Sequence, residues 1–144
     1  MKSHLINDRP KTYALIFDAG DEVMEGLVRF AKEHRISASQ FSGIGAFEEV
    51  TVAFFVPAKK DYNKIVIREQ MEVLSLLGDV SVEEGEPKIH AHVVLGKSDA
   101  SAHGGHLVSA RVNPTLELIL TESPAHLRRK HDSRSGLALI ELSD

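Results

Sequence analysis

The chain has no cysteine and no tryptophan. Without thiols there is no disulfide framework and no thiolate metal site, so any bound metal must rest on nitrogen and oxygen donors. A cysteine-free chain is compatible with a reducing compartment. No apolar run approaches the roughly 20 residues needed to span a bilayer. The opening Met1-Lys2-Ser3-His4-Leu5-Ile6-Asn7-Asp8-Arg9-Pro10 has no apolar stretch of the secretory kind. These absences predict a soluble, cytoplasmic protein without a membrane partner. An excess of basic charge is missing too. With 17 Lys and Arg against 21 Asp and Glu, the formal charge is −4. That is a poor match for a polyanion, because nucleic-acid affinity rests largely on phosphates neutralised by cations.

Common catalytic loops are also lacking. Gly43-Ile44-Gly45-Ala46 has no third glycine, and the strand-like Val50 to Val56 follows it where a dinucleotide loop requires a helix. Its glycines are expected at a bulge or a close strand contact. None of Ser75, Ser81, Ser101 and Ser109 sits in a Gly-x-Ser-x-Gly elbow.

What the chain does have is 144 residues, 42% of them hydrophobic, enough for one domain (1–144, with an ordered core of about 11–142). Tyr13 to Phe17 reads as a strand. Asp21 is placed to N-cap a helix with Glu22 at its positive end. Val23, Met24, Leu27, Val28, Phe30 and Ala31 then recur at helical spacing up to about His34. From Ile36 onward the pattern is one of strands: Ser39–Phe47, Val50–Val56, Lys64–Arg68, Met71–Gly78 with Asp79–Val82 as a continuation, Ile89–Leu95, Thr115–Thr121 and Gly136–Leu142. The fold class is therefore α+β, one main helix on a mostly antiparallel sheet.

Four of the eight histidines fall within 17 residues, in Ile89-His90-Ala91-His92-Val93 and His103-Gly104-Gly105-His106-Leu107. In a strand, residues i and i+2 share a face. His90 and His92 thus present two imidazoles side by side, while Ala91 and Val93 face the other way. A third imidazole from a neighbouring strand completes a three-nitrogen metal site with an open position. His106 is the candidate, with Gly104 and Gly105 allowing close backbone approach or a bulge before it. His103 is a second candidate but is expected in a solvated turn. Zn²⁺ is the default ion, with Fe, Ni or Mn as alternatives. The competing reading makes all of these surface histidines on the polar face of a half-exposed strand.

Two further groups bear on this site. Leu127-Arg128-Arg129-Lys130-His131-Asp132-Ser133-Arg134 is the one basic cluster, read either as a solvated loop or helix end or as an anion contact. Glu72, Glu117 and Glu122 lie on or near strands; ordinary surface placement is the expectation for each, against a role for one as partner or base beside a metal.

The chain resembles the PPC domain (plant and prokaryote conserved), also found in plant AT-hook proteins. The resemblance rests on an ordered series of segments. Tyr13-Ala14-Leu15 and its helix come first, then Phe41-Ser42-Gly43-Ile44-Gly45-Ala46 and Glu72-Val73-Leu74-Ser75-Leu76-Leu77-Gly78. Ile89-His90-Ala91-His92-Val93, Gly104-Gly105-His106-Leu107 and the stretch after Pro114 complete it. It implies an α+β fold assembled as a homotrimer, and a metal held by His90, His92 and His106. Plant members lack these histidines, so the site is not required for the fold. The DNA-binding label of the family derives from an Arg-Gly-Arg-Pro hook that inserts into the minor groove, and this chain has none. Plant members also carry an arginine where Gln70 stands here.

Two functional expectations follow. The first is a trimeric metal- or partner-binding module with a regulatory role, DNA binding coming from the family label alone. The second is a small metal-dependent enzyme on an unknown, anionic small molecule, with Arg128 or Arg129 of a neighbouring subunit selecting it.

Overall fold

The computed structural model describes residues 1–123 and 126–141, and only the backbone over 2–7. Nine strands and one helix follow in the order β1 (Lys2–Asp8), β2 (Lys11–Asp18), α1 (Val23–His34), β3 (Ser39–Val56), β4 (Asp61–Ile67), β5 (Met71–Glu83), β6 (Glu86–Gly96), β7 (Ala102–Glu122), β8 (Arg128–Asp132) and β9 (Leu137–Glu141). The sheet is largely antiparallel, with one parallel contact, β5 with β8. The expected α+β class, one helix on a mostly antiparallel sheet, is what forms.

The strands alternate as half-buried strands should. On β2, Tyr13, Leu15 and Phe17 are buried; on β6, Ile89, Ala91, Val93 and Leu95 are buried. Val23, Leu27, Phe30 and Ala31 of α1 join them in one core. Each large apolar side chain taken fully out of water contributes about 1.5–3 kcal/mol before entropy is charged against it.

The helix cap differs from expectation. Glu22, not Asp21, is the N-cap: its Oε2 accepts from the Glu25 amide at 2.6 Å. Its Oε1 accepts from the Ala110 amide on β7 at 2.9 Å. The longer glutamate side chain reaches both the helix and the sheet. Asp21 instead accepts from the Asp18 amide at 3.0 Å, closing the turn before the helix.

The segments expected as Ser39–Phe47 and Val50–Val56 are one strand, β3, and the Gly-Gly-His and Thr115 segments are one strand, β7. Both are bent at register shifts, two of which flank Gly45. Gly45 has φ +155°, and a Cβ there would lie 2.3 Å from the Thr115 carbonyl oxygen. This is the bulge that the glycines were expected to mark. Strands β1 and β8 were not anticipated, because neither has an apolar alternation. Leu142, at the end of the expected last strand, lies outside the described residues.

Strand β3 pairs with β5 and β7, and β6 pairs with both β5 and β7. The circuit β3-β5-β6-β7 is therefore closed. It is this closure that carries the start of β7 back to the histidine-bearing strand.

Candidate metal centre

His92 on β6 and His106 on β7 are direct register partners. Directly opposed residues of an antiparallel pair project from the same face. His90 lies two residues before His92 and shares that face, while Ala91 and Val93 are buried on the other. The three rings form a near-equilateral triangle, with centroids 5.1, 5.2 and 5.5 Å apart. One candidate ligand nitrogen from each falls within 4.8 Å of the others.

The two glycines before His106 make this pairing feasible. A Cβ on Gly104 would stand 2.5 Å from the Val93 carbonyl oxygen, and one on Gly105 would stand 2.8 Å from that of Ala53. β7 is squeezed between β6 and β3 here, and only hydrogen fits on both sides. His103 sits in β7 itself, not in a turn. It is exposed and contacts Ser101 Oγ at 3.4 Å. It is not brought to the triad.

The electrostatics keep two of these rings neutral. Burial, then repulsion from His90 and His92 and the Lys88 and Arg129 charges, lowers the His106 pKa to about 4. Burial and His90 lower that of His92. Neutral imidazole is the form that binds metal. His106 Nδ1 is buried and has no hydrogen-bond partner among the described residues. An unpaired buried nitrogen costs about 1–3 kcal/mol. Clustered imidazoles, one with an unpaired buried ring nitrogen, fit a bound metal ion better than a purely solvated histidine face.

Around the triad the structure supplies parts that sequence reasoning missed. The carboxylate facing it belongs to Asp79, and not to Glu72, Glu117 or Glu122. Asp79 is the β5 register partner of His90, and its Oδ2 lies 3.6 Å from His90 Nδ1. Burial pushes the Asp79 carboxyl up, but His90 and Arg129 outweigh it and hold the pKa below the usual value. Arg129 is 9% exposed at its side chain. It donates from Nη2 to Asp79, from Nε to Ser81 Oγ at 2.6 Å and from Nη1 to the Ala138 carbonyl at 2.9 Å. Ser81 is fully buried, which removes it as a nucleophile. Tyr62 stacks on His106 at 4.9 Å.

The basic cluster thus divides. It forms strand β8 and its following turn, not a loop or helix end. Arg129 is turned in toward His90, within the same chain rather than from a neighbour, whereas Arg128, Lys130, His131 and Arg134 are exposed. Arg-Arg-Lys-His-Asp has no apolar alternation that would mark it as a strand.

A model of the Plants and Prokaryotes Conserved (PCC) domain matches residues 7–124. A PPC protein of Pyrococcus horikoshii is 33% identical, with 99% of this chain and 96% of that one covered and a TM-score of 0.86. A candidate DNA-binding protein of Bacteroides thetaiotaomicron is 33% identical over 90% and 91% of the two chains, with a TM-score of 0.87. A metal-containing protein of Archaeoglobus fulgidus is 32% identical over 98% and 97%, with a TM-score of 0.85. Comparison with curated proteins gives no match. Among the described residues no helix is long and apolar enough to cross a membrane.

Proposed function

Because the chain belongs to the Plants and Prokaryotes Conserved (PCC) domain family, we propose that it is a trimeric metal-binding module whose His90, His92 and His106 hold one divalent ion. The observation that carries this reading is the convergence of three ring nitrogens within 4.8 Å on adjacent strands. Three imidazole nitrogens with room for a further ligand suit Zn²⁺, and imidazole also serves Fe, Ni and Mn. The metal-containing Archaeoglobus relative supports the same reading. Bound there, the ion supplies Lewis-acid charge at an open position. Asp79 orients His90, Arg129 holds Asp79, and Tyr62 packs on His106.

The trimer is supported by what lies beside the triad. His106, His92, Leu77, Ser42 and Ile119 form one register row across the sheet. Leu77 is 58% exposed and Ile119 44%, with Ile44 and Leu74 also open on neighbouring positions. Apolar side chains grouped like this mark an interaction surface, and further copies of the chain are the occupant proposed.

A second reading, a small metal-dependent enzyme, is favoured by a cavity of about 380 Å³ that His90 and His106 share with the β8–β9 hairpin. DNA binding has less support, since a chain of net charge −4 lacks the phosphate-neutralising excess that such binding uses.

The experiment is elemental analysis of protein purified without a His tag or added metal, in parallel with His90→Ala, His92→Ala and His106→Ala. Near one metal per chain, lost in all three variants, supports the module. No metal in the parent and none taken up on addition overturns it.

A further inference from the structure

The cavity beside the triad has two kinds of wall. On one side stand His90 and His106; on the other is the β8–β9 hairpin, which contributes Leu137 and Leu139, with Lys88 and Arg129 between. The hairpin lies beyond residue 124, where the family match ends. It is fixed to the sheet by Arg129, whose guanidinium bonds Ser81 and Asp79 of β5 and the Ala138 carbonyl of β9. Among the described residues strand β8 makes two register pairs with β5, Val82 with Arg128 and Glu83 with Arg129.

The chemistry of the walls selects an occupant. The triad is three imidazoles and no carboxylate. An ion held by neutral donors would keep both of its charges. The Lys88 and Arg129 charges are each balanced by a carboxylate, Glu83 and Asp79, so a bound ion would supply the net positive charge. The one carboxylate on the wall, Glu83, is engaged by Lys88 at 3.0 Å. The cavity is far larger than a water molecule, and Leu137 and Leu139 give its hairpin side an apolar patch beside Arg129 and His131. An anionic head at the triad with a short apolar body against Leu137 and Leu139 satisfies both walls at once.

We propose that this cavity is a binding site for a small monocarboxylate, its charged head at the triad and its alkyl body against the β8–β9 hairpin. This rests on the metal reading of the triad. The hairpin, supplied from outside the matched family segment, then sets which carboxylate fits.

The test uses the full chain loaded with Co²⁺, whose visible spectrum reports the coordination sphere. Straight-chain carboxylates from acetate to hexanoate are titrated, with the matching primary amides as neutral controls. Carboxylates should alter the spectrum and amides should not. Affinity should rise roughly fourfold per added methylene, the gain expected for burying one such group, until the cavity is full. Leu137→Glu, which puts a negative charge on the hairpin wall, should weaken hexanoate at least tenfold while cobalt stays at one per chain. Leu137→Gln should remove most of the chain-length gain without the added charge. No spectral change, equal response to amides, or an affinity that ignores chain length in the parent protein overturns the carboxylate site and leaves the metal site standing. Failure of the parent chain to take up cobalt overturns both, and is told apart by that first titration.

Discussion

Arg129 Nη2 donates to both oxygens of Asp79, at 2.9 and 3.2 Å, and Asp79 in turn lies 3.6 Å from His90 Nδ1. One guanidinium on β8 therefore reaches a histidine on β6 both through a carboxylate on β5 and directly, its Nη2 lying 3.4 Å from His90 Nδ1. Partners of this kind set ring orientation and basicity, and their loss typically costs 10–100-fold in metal affinity.

Arg129→Gln is expected to weaken metal binding by about 10–100-fold and to destabilise the protein by about 1–3 kcal/mol, because Asp79 is left half-buried without its cation. Arg129→Lys should rescue little, since one ammonium cannot reproduce a planar fork that reaches β5 and β9 together. Metal-chelator competition and urea unfolding measure the two effects. Unchanged metal affinity in Arg129→Gln would show that the guanidinium does not position His90.

His92→Ala removes an exposed candidate ligand and leaves the core face of β6, with Ala91 and Val93, untouched. Metal affinity should fall by more than the roughly 100-fold upper range of outer-partner losses, with the melting temperature of the metal-free protein within a few degrees of the parent. Isothermal titration and differential scanning calorimetry give both numbers.

Gly104→Ala tests whether strand closeness builds the site. The added Cβ would meet the Val93 carbonyl at 2.5 Å, forcing β7 away from β6 and His106 away from His92. Overpacking of this sort costs about 1–3 kcal/mol. Metal affinity should fall together with stability, and a variant that loses stability but binds metal as tightly as the parent would contradict the argument.

Acid should destabilise the metal-free protein through His106. Its folded pKa is about 4, against the ordinary 6.5. Between those values the unfolded chain binds the proton and the folded chain does not. Stability from this group is therefore complete above pH 6.5 and declines as pH falls toward 4. Unfolding midpoints measured from pH 7.5 to 4 should drop across that window, and His106→Asn should flatten the drop. The lowered Asp79 pKa acts in the same direction only below the ordinary carboxylate value of 3.8.

Ile119→Lys places a charge in the exposed apolar row while leaving the triad intact. Sedimentation should shift from trimer toward monomer, with the far-ultraviolet dichroism of the parent. A parent chain that sediments as a monomer would reject the assembly outright.

Much of this protein follows from local sequence. Alternation on β2 and β6, the 3.6-residue period of α1 and the pairing of His90 with His92 are local facts, set by which face of an element each side chain must occupy. The three histidines were legible because a strand has period 2 and because glycines precede His106. The one helix cap read wrongly turned on Glu22 being long enough to reach Ala110 on β7, a contact 88 residues away. Tertiary structure alone decided the rest. It closed the β3-β5-β6-β7 circuit that sets His106 opposite His92, chose Asp79 over three other acids, and turned Arg129 inward from a basic run that looked uniform. Those choices depend on strand register between distant segments, and register is fixed by burial of the whole sheet rather than by any local pattern.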